Sequence, residues 1–169
     1  MALPRDVFVV GAARTAIGTF GGALKDVPLA DLATLAVKTA LERSGAAAAS
    51  VGHLAMGTVI PTEPRDAYLS RVAAMNAGLP KETPAFNVNR LCGSGLQAII
   101  SASQAIMLGD CEVAVGAGAA QQQIARLAKP LTVDNMEGID VHVTPEGETV
   151  LTMVSDDNFS MIISIMMHP

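Results

Sequence analysis

The sequence contains few aromatic residues and few charges. It has four Phe, one Tyr and no Trp, and only 16% of its residues are Asp, Glu, Lys or Arg. The net charge of −5 and the absence of a Lys/Arg run argue against nucleic-acid binding, which normally requires a basic face. Half of the residues are hydrophobic, which excludes an intrinsically disordered chain. With 169 residues, the chain is long enough to bury the core of one domain.

Metal-ligating residues are also scarce. The two cysteines, Cys92 and Cys111, lie on different predicted elements, and the three histidines show no ligand spacing, so we expect no metal site. The first residues, MALPRDVFVVGAA, contain too short an apolar stretch for a secretory signal, and an acidic residue lies in its flank. We therefore expect reduced thiols and a cytoplasmic location.

Apolar segments of strand type alternate with segments of helical periodicity. The predicted strands are DVFVVGAA, HLAMGTVI, PAFNVNR and CEVAVGAGAA. The predicted helices are PLADLATLAVKTALERSG, RDAYLSRVAAMNAGLP and the uncharged residues 91–109. The order β-α-β-α-β-α-β predicts an α/β fold, in which helices cover a mixed, mostly parallel sheet.

The character of the chain changes near residue 119. We predict one domain over residues 1–119 and a separate tail over residues 120–169, either poorly structured or a β-hairpin. The segment GIDVHVTPEGETVLTMVSDDN favours a hairpin that turns at Pro145-Glu146-Gly147. The chain ends in MIISIMMHP, which is apolar but too short to cross a bilayer.

Residues 91–109 contain no charged side chain, and their length would permit a membrane span. Ser and Gln residues interrupt this run, and Gly93 and Gly95 weaken its start as a helix. A soluble helix buried on nearly all sides fits this composition better, so we expect no association with a membrane.

Cys92 lies where the third strand gives way to this helix. The first N–H groups of a helix lack partners and carry partial positive charge, so they would stabilise a thiolate or an oxyanion at that position. Gly93 and Gly95 would leave room for a substrate to approach the sulfur. The alternative is that Cys92 is a buried structural cysteine and that the glycines serve close packing.

The segment NRLCGSGLQAI resembles the nucleophile segment of the thiolases, which are acetyl-CoA C-acetyltransferases and β-ketothiolases. VVGAARTAIGTFGGALKDV, GTVIPTEPRDAYLSRVAAMNAGLP and LGDCEVAVGAGA agree in order, so the resemblance covers roughly residues 5–118. It implies the N-terminal half of a thiolase-like fold, acyl-CoA substrates, no other cofactor and a homo-oligomer. It also implies that Cys92 is the nucleophile that forms an acyl-enzyme, with its backbone N–H in an oxyanion hole.

Other expected thiolase segments do not match. The family's basic histidine, in a Gly-His-Pro segment, and its second catalytic cysteine, in a Cys-x-Gly segment, belong to the C-terminal half. His168-Pro169 lacks the glycine, and Cys111 lacks the Cys-x-Gly pattern. After the fourth strand, GAGAAQQQIARL stands where the family has a Gly-Gly-x-Glu-Ser-Met-Ser-like loop. We therefore expect activity to be impaired or absent in this chain, which resembles a truncated thiolase.

Three alternatives remain open. The first is a non-catalytic fragment or fusion product that acts at most as an association module. The second is a phytase-like hydrolase, and the third is a relative of the ketosynthases. The second rests on VDNMEG and SDDNFS, which resemble the end of the bacterial esterase-like phytases. The acidic residues of these blocks are expected to be solvated turn residues rather than cation ligands.

Overall fold

A computed structural model of the chain describes residues 5–19, 22–61, 63–119, 139–143, 149–153 and 162–167. The strands are β1 Phe8–Arg14, β2 Val51–Gly57, β3 Ala85–Val88, β4 Val113–Gly118, β5 Ile139–Val143, β6 Thr149–Met153 and β7 Ile162–Met167. The helices are α1 Leu29–Ser44, α2 Leu69–Asn76 and α3 Ser94–Leu108, with short 3-10 helices at Ala48–Ser50 and Pro64–Tyr68. The predicted α/β alternation up to β4 is confirmed.

Five strands form one sheet in the order β1-β7-β4-β2-β3. β2 runs parallel to β3 and β4, and β7 runs antiparallel to both of its neighbours, so β1 points in the same direction as β4. The sequence did not identify β7 as a strand, because its apolar residues show no alternation. A strand that pairs on both edges inside a sheet does not need alternation, since both of its faces can be covered.

β5 and β6 pair antiparallel, with Ile139 opposite Met153 and Val143 opposite Thr149. This pairing confirms the predicted hairpin. Its predicted turn, together with His168 and the acidic residues of VDNMEG and SDDNFS, lies outside the described residues.

Helices cover both faces of the five-stranded sheet. On one face, α1 and α2 pack against strand residues such as Leu54 and Val115. On the opposite face, α3 packs against Ala55 and Ala114. Successive strand side chains point to opposite faces, which is why neighbouring residues of β2 and β4 belong to different layers.

The backbone of α3 lies unusually close to the sheet. A Cβ at Gly116 would lie 2.6 Å from the Cα of Ile99, and a Cβ at Gly118 would lie 2.8 Å from the Cα of Gly95. A Cβ at Gly57 would clash with the backbone of α3 in the same way. Glycines on β2 and β4 therefore allow the first turns of α3 to rest directly on the ends of these strands.

The expectation that α3 is buried on nearly all sides is wrong. Its small residues face the sheet, but Leu96, Ile100 and Met107 on the outer side are 43%, 39% and 40% exposed. The segment Leu91–Leu108 is long and apolar enough to cross a membrane by length and composition, a test that core helices of soluble proteins also pass. The absence of charged residues predicted an apolar helix, but it did not indicate how many sides of that helix the rest of the chain covers.

Candidate functional site

Cys92 lies in the turn that connects β3 to α3. β3 ends at Val88 and α3 begins at Ser94, so the cysteine precedes the first helical residue by two positions, and it is exposed. The carboxyl ends of the parallel strands β2, β3 and β4 lie at this edge of the sheet. Ligands of α/β proteins commonly bind at this edge, because the strand ends and helix N-termini converge there.

The turn has an unusual backbone conformation immediately before the cysteine. Leu91 has a φ of 50°, in the left-handed region that few residues with a branched side chain adopt. The N–H of Gly93 donates to the carbonyl of Arg90 (3.1 Å), and the N–H of Ser94 donates to the carbonyl of Leu91 (3.0 Å). The chain therefore reverses tightly around Leu91 and presents Cys92 at the outside of the bend.

Two polar side chains hold this turn. The hydroxyl of Ser94, which is only 4% exposed, donates to the carbonyl of Leu91 (2.6 Å) and accepts from the N–H of Arg90 (2.8 Å). The Asn89 amide accepts from the N–H of Leu91 (3.0 Å) and donates to the carbonyl of Val59 (3.0 Å). Neither residue was identified from the sequence. The sequence feature that could have identified them is an amide side chain three positions before the cysteine and a hydroxyl side chain two positions after it.

The two glycines beside Ser94 have different surroundings. A Cβ at Gly95 would lie 3.3 Å from the Cα of Gly118, so this glycine permits α3 to pack on β4. A Cβ at Gly93 would come no closer than 3.4 Å, to the carbonyl oxygen of Arg90, which is ordinary contact. The packing role that we considered as the alternative therefore applies to Gly95. The role of both glycines in substrate approach remains a prediction.

Cys111 lies at the other end of α3, in the connection to β4. Burial raises the pKa of its thiol, and the neighbouring carboxylates of Asp110 and Glu112 raise it further. Cys111 and Cys92 do not form a disulfide. The environment of Cys111 therefore disfavours the thiolate that a nucleophile needs.

His53 is the only histidine whose side chain the structure describes. It lies near the start of β2, where its ring contacts that of Phe86 at a centroid distance of 5.4 Å. Burial lowers its pKa, while Asp110 acts in the opposite direction. The turn that carries Cys92 lies beyond the opposite end of β2, so the structure does not bring this imidazole to the cysteine.

The part of the chain that the structure describes contains no group of three or more His, Cys, Asp or Glu residues that could hold a metal ion. The fully buried carboxylate of Asp66 accepts from the N–H of Glu63 (3.1 Å), as part of a capping box at the 3-10 helix before α2. An open depression between α1 and Ala77 lies on the face of the sheet opposite α3, away from Cys92.

Comparison with protein families gives a match over most of the chain. The model of the thiolase N-terminal domain matches residues 7–163. The match runs across the predicted boundary at residue 119, and the division of the chain there remains a prediction.

The chain is similar to curated thiolases over its first two thirds to three quarters. It is 56% identical to beta-ketothiolase BktB of Cupriavidus necator over 128 residues, which is 76% of this chain and 32% of that protein. It is 43% identical to human mitochondrial 3-ketoacyl-CoA thiolase over 118 residues, which is 70% of this chain and 30% of that protein. The chain therefore spans about a third of the length of these relatives.

A crystal structure of human mitochondrial 3-ketoacyl-CoA thiolase in complex with CoA matches with a TM-score of 0.67 and 37% identity. The match covers 77% of this chain and 35% of that structure's chain. The predicted resemblance and fold class are both confirmed. The chain belongs to the thiolase family, whose N-terminal domain it matches.

Proposed function

We propose that the chain is an acyltransferase of thiolase type and that Cys92 accepts the acyl group of an acyl-CoA. The observation that carries this proposal is the exposed cysteine in the turn before α3, at the carboxyl edge of the sheet. The names of the relatives, a beta-ketothiolase and a 3-ketoacyl-CoA thiolase, support acyl-CoA thioesters as the substrate class. The proposed reaction uses no other cofactor, and a reducing compartment such as the cytoplasm would keep the thiol reactive.

In the first step, the Cys92 thiolate attacks the carbonyl carbon of the thioester. A new carbon–sulfur bond forms, the bond to the CoA sulfur breaks, and CoA leaves as a thiolate that takes up a proton from water. The N–H groups of Gly93 and Ser94 already donate to carbonyls within the turn. In this proposal, as the family resemblance implies, the backbone N–H of Cys92 forms part of an oxyanion hole.

The second step, in which an acetyl-CoA enolate attacks the acyl-enzyme, requires a group that removes a proton from carbon. Among the described side chains, His53 and Cys111 lie at the opposite end of α3 from Cys92. We therefore propose that the described residues support acyl transfer to Cys92 and that neither His53 nor Cys111 supplies the proton transfer that carbon–carbon bond formation needs.

The test is transfer of an acetyl group from acetyl-CoA to the chain, followed by peptide mapping by mass spectrometry. We expect one acetyl group on the peptide that contains Cys92, release of a matching amount of CoA, and neither in the Cys92→Ser variant. Acetylation that survives this substitution, or that spreads equally to Cys111, would refute the assignment.

The second candidate is a non-catalytic association module, and the exposed outer side of α3 favours it. Leu96, Ile100 and Met107 lie one above the other on that side, and an apolar helix surface without charges is typical of an interface between protein chains. Light scattering after size-exclusion chromatography tests the homo-oligomer that the family resemblance implies. An oligomer that the Ile100→Glu substitution converts to a monomer supports this candidate. A chain that is monomeric at all concentrations contradicts it.

A further inference from the structure

The side chain of Ser94 connects the turn that carries Cys92 to the first turn of α3. Its hydroxyl makes two short hydrogen bonds, to the carbonyl of Leu91 at 2.6 Å and from the N–H of Arg90 at 2.8 Å. These are the two residues that precede Cys92, so one buried oxygen binds the backbone on the entering side of the cysteine. A hydroxyl group can donate one hydrogen bond and accept two, so these two bonds use most of the hydrogen-bonding capacity of the Ser94 side chain.

These bonds maintain a conformation that the backbone would not otherwise prefer. The φ of 50° at Leu91 brings its Cβ too close to the following carbonyl, and in most proteins glycine or asparagine occupies such a position. Leu91 is 69% exposed, so packing of its own side chain does little to hold it there. Among the described contacts, the backbone bonds of Gly93 and Ser94 and the side-chain bonds of Ser94 and Asn89 restrain this conformation.

Ser94 can restrain the turn because the sheet fixes the backbone of Ser94. Gly57, at the end of β2, lies directly against the backbone of Ser94 and Gly95, where a side chain would not fit. The serine is not the N-cap of α3, which is Gly93, and that position makes no side-chain capping bond. Its hydroxyl bonds back to the turn that precedes the helix instead.

We propose that Ser94 is a positioning residue that holds the sulfur of Cys92 at the N-terminus of α3 in the orientation required for acyl transfer. This inference rests on the proposed function, because it assigns Ser94 a role in the reaction of Cys92. Ser94 acts through the backbone of Arg90 and Leu91.

The experiment uses the full chain with Ser94→Ala, and Ser103→Ala as the matched control. The hydroxyl of Ser103 also bonds to a backbone carbonyl, that of Ile99 at 2.9 Å, but this bond lies within α3. Three rates are measured by peptide mapping in each protein: acetylation of Cys92 by acetyl-CoA, alkylation of Cys92 by iodoacetamide, and alkylation of Cys111 in the same sample. Circular dichroism reports whether the fold is retained.

We expect Ser94→Ala to lower acetylation of Cys92 by up to about a hundredfold, the loss that a misplacement of about 1 Å can cause. Its alkylation should fall about two- to fivefold, the range for a charge at an exposed helix N-terminus. The alkylation rate of Cys111 should stay constant, and Ser103→Ala should match the unmodified chain. A Ser94→Ala variant that keeps both rates at Cys92 would overturn the inference.

A second pair of variants, Ser94→Thr and Ser94→Val, covers the case in which the alanine variant does not fold. The two side chains have nearly the same shape, and only threonine keeps the hydroxyl. We expect threonine to restore the Cys92 rates relative to valine, and equal rates in the two variants would contradict the inference. If the unmodified chain is not acetylated at all, the proposed function fails, whereas the alkylation rates still decide whether Ser94 positions the cysteine.

Discussion

The close approach of α3 to the sheet makes Gly57 the most sensitive position at the candidate site. In Gly57→Ala, the new methyl group would lie 2.6 Å from the backbone nitrogen of Gly95 and would also overlap the carbonyl group of Ser94. Both contacts involve backbone atoms, which cannot rotate away as a flexible side chain can. The first turn of α3 therefore has to move off the end of β2, or β2 has to bend.

The expected cost follows from the kind of contact. Adding a methyl group to a tightly packed site typically costs about 1–3 kcal/mol, and backbone contacts place Gly57→Ala in the upper part of that range. Gly93→Ala is the matched control, because its φ is −84° and its new Cβ would come no closer than 3.4 Å to another residue. We expect this control to cost less than about 1 kcal/mol, mainly through the lower preference for alanine at an N-cap.

Urea unfolding followed by circular dichroism measures both changes in the free energy of unfolding. The slope of the free energy against urea should stay constant, so that the midpoints alone report the difference. If Gly57→Ala is no less stable than Gly93→Ala, α3 does not lie against β2 as described, and the placement of the Cys92 turn loses its support.

Two further predictions concern ionisable groups. Asp110→Asn removes a carboxylate that raises the pKa of Cys111, so alkylation of Cys111 at a fixed, mildly alkaline pH should become faster. Cys92 in the same sample serves as the reference, and an unchanged alkylation rate of Cys111 would contradict this prediction. Burial lowers the pKa of folded His53 below its ordinary value of 6.5, so the unfolded chain binds a proton at this residue more readily than the folded chain. The contribution of neutral His53 to the free energy of unfolding is therefore present above about pH 6.5 and is lost as the pH falls towards the pKa of the folded state. His53→Gln should therefore lose less stability in urea unfolding between pH 7.5 and pH 5 than the unmodified chain, and an equal loss would show that other groups cause the pH dependence.

The elements up to β4 could be predicted because their patterns are local. The buried positions of α1 recur with helical spacing, and Gly45 ends the helix in the left-handed conformation with a φ of 71°. β2 and β4 are short apolar runs bounded by helices, which is typical of strands in a parallel sheet. In these segments, propensity, periodicity and tertiary packing favour the same structure.

The rest depends on contacts between distant residues. β7 is apolar in every residue but one, and only its pairing with β1 and β4 distinguishes it from an unstructured apolar end. The exposed side of α3 could not be foreseen either, since its composition is the same whether or not a neighbour covers it. At the site, the position of Cys92 before a helix followed from the sequence, but the roles of Ser94 and Asn89 require the actual path of the turn.

The most direct test of the account is protection of the two cysteines from iodoacetamide by acetyl-CoA, with each cysteine quantified by mass spectrometry in the same sample. The account predicts that Cys92 is alkylated faster than Cys111 at neutral pH and that acetyl-CoA slows only Cys92. Equal alkylation of both cysteines, or a Cys92 rate that acetyl-CoA leaves unchanged, would contradict the claim that Cys92 is the residue that accepts the acyl group.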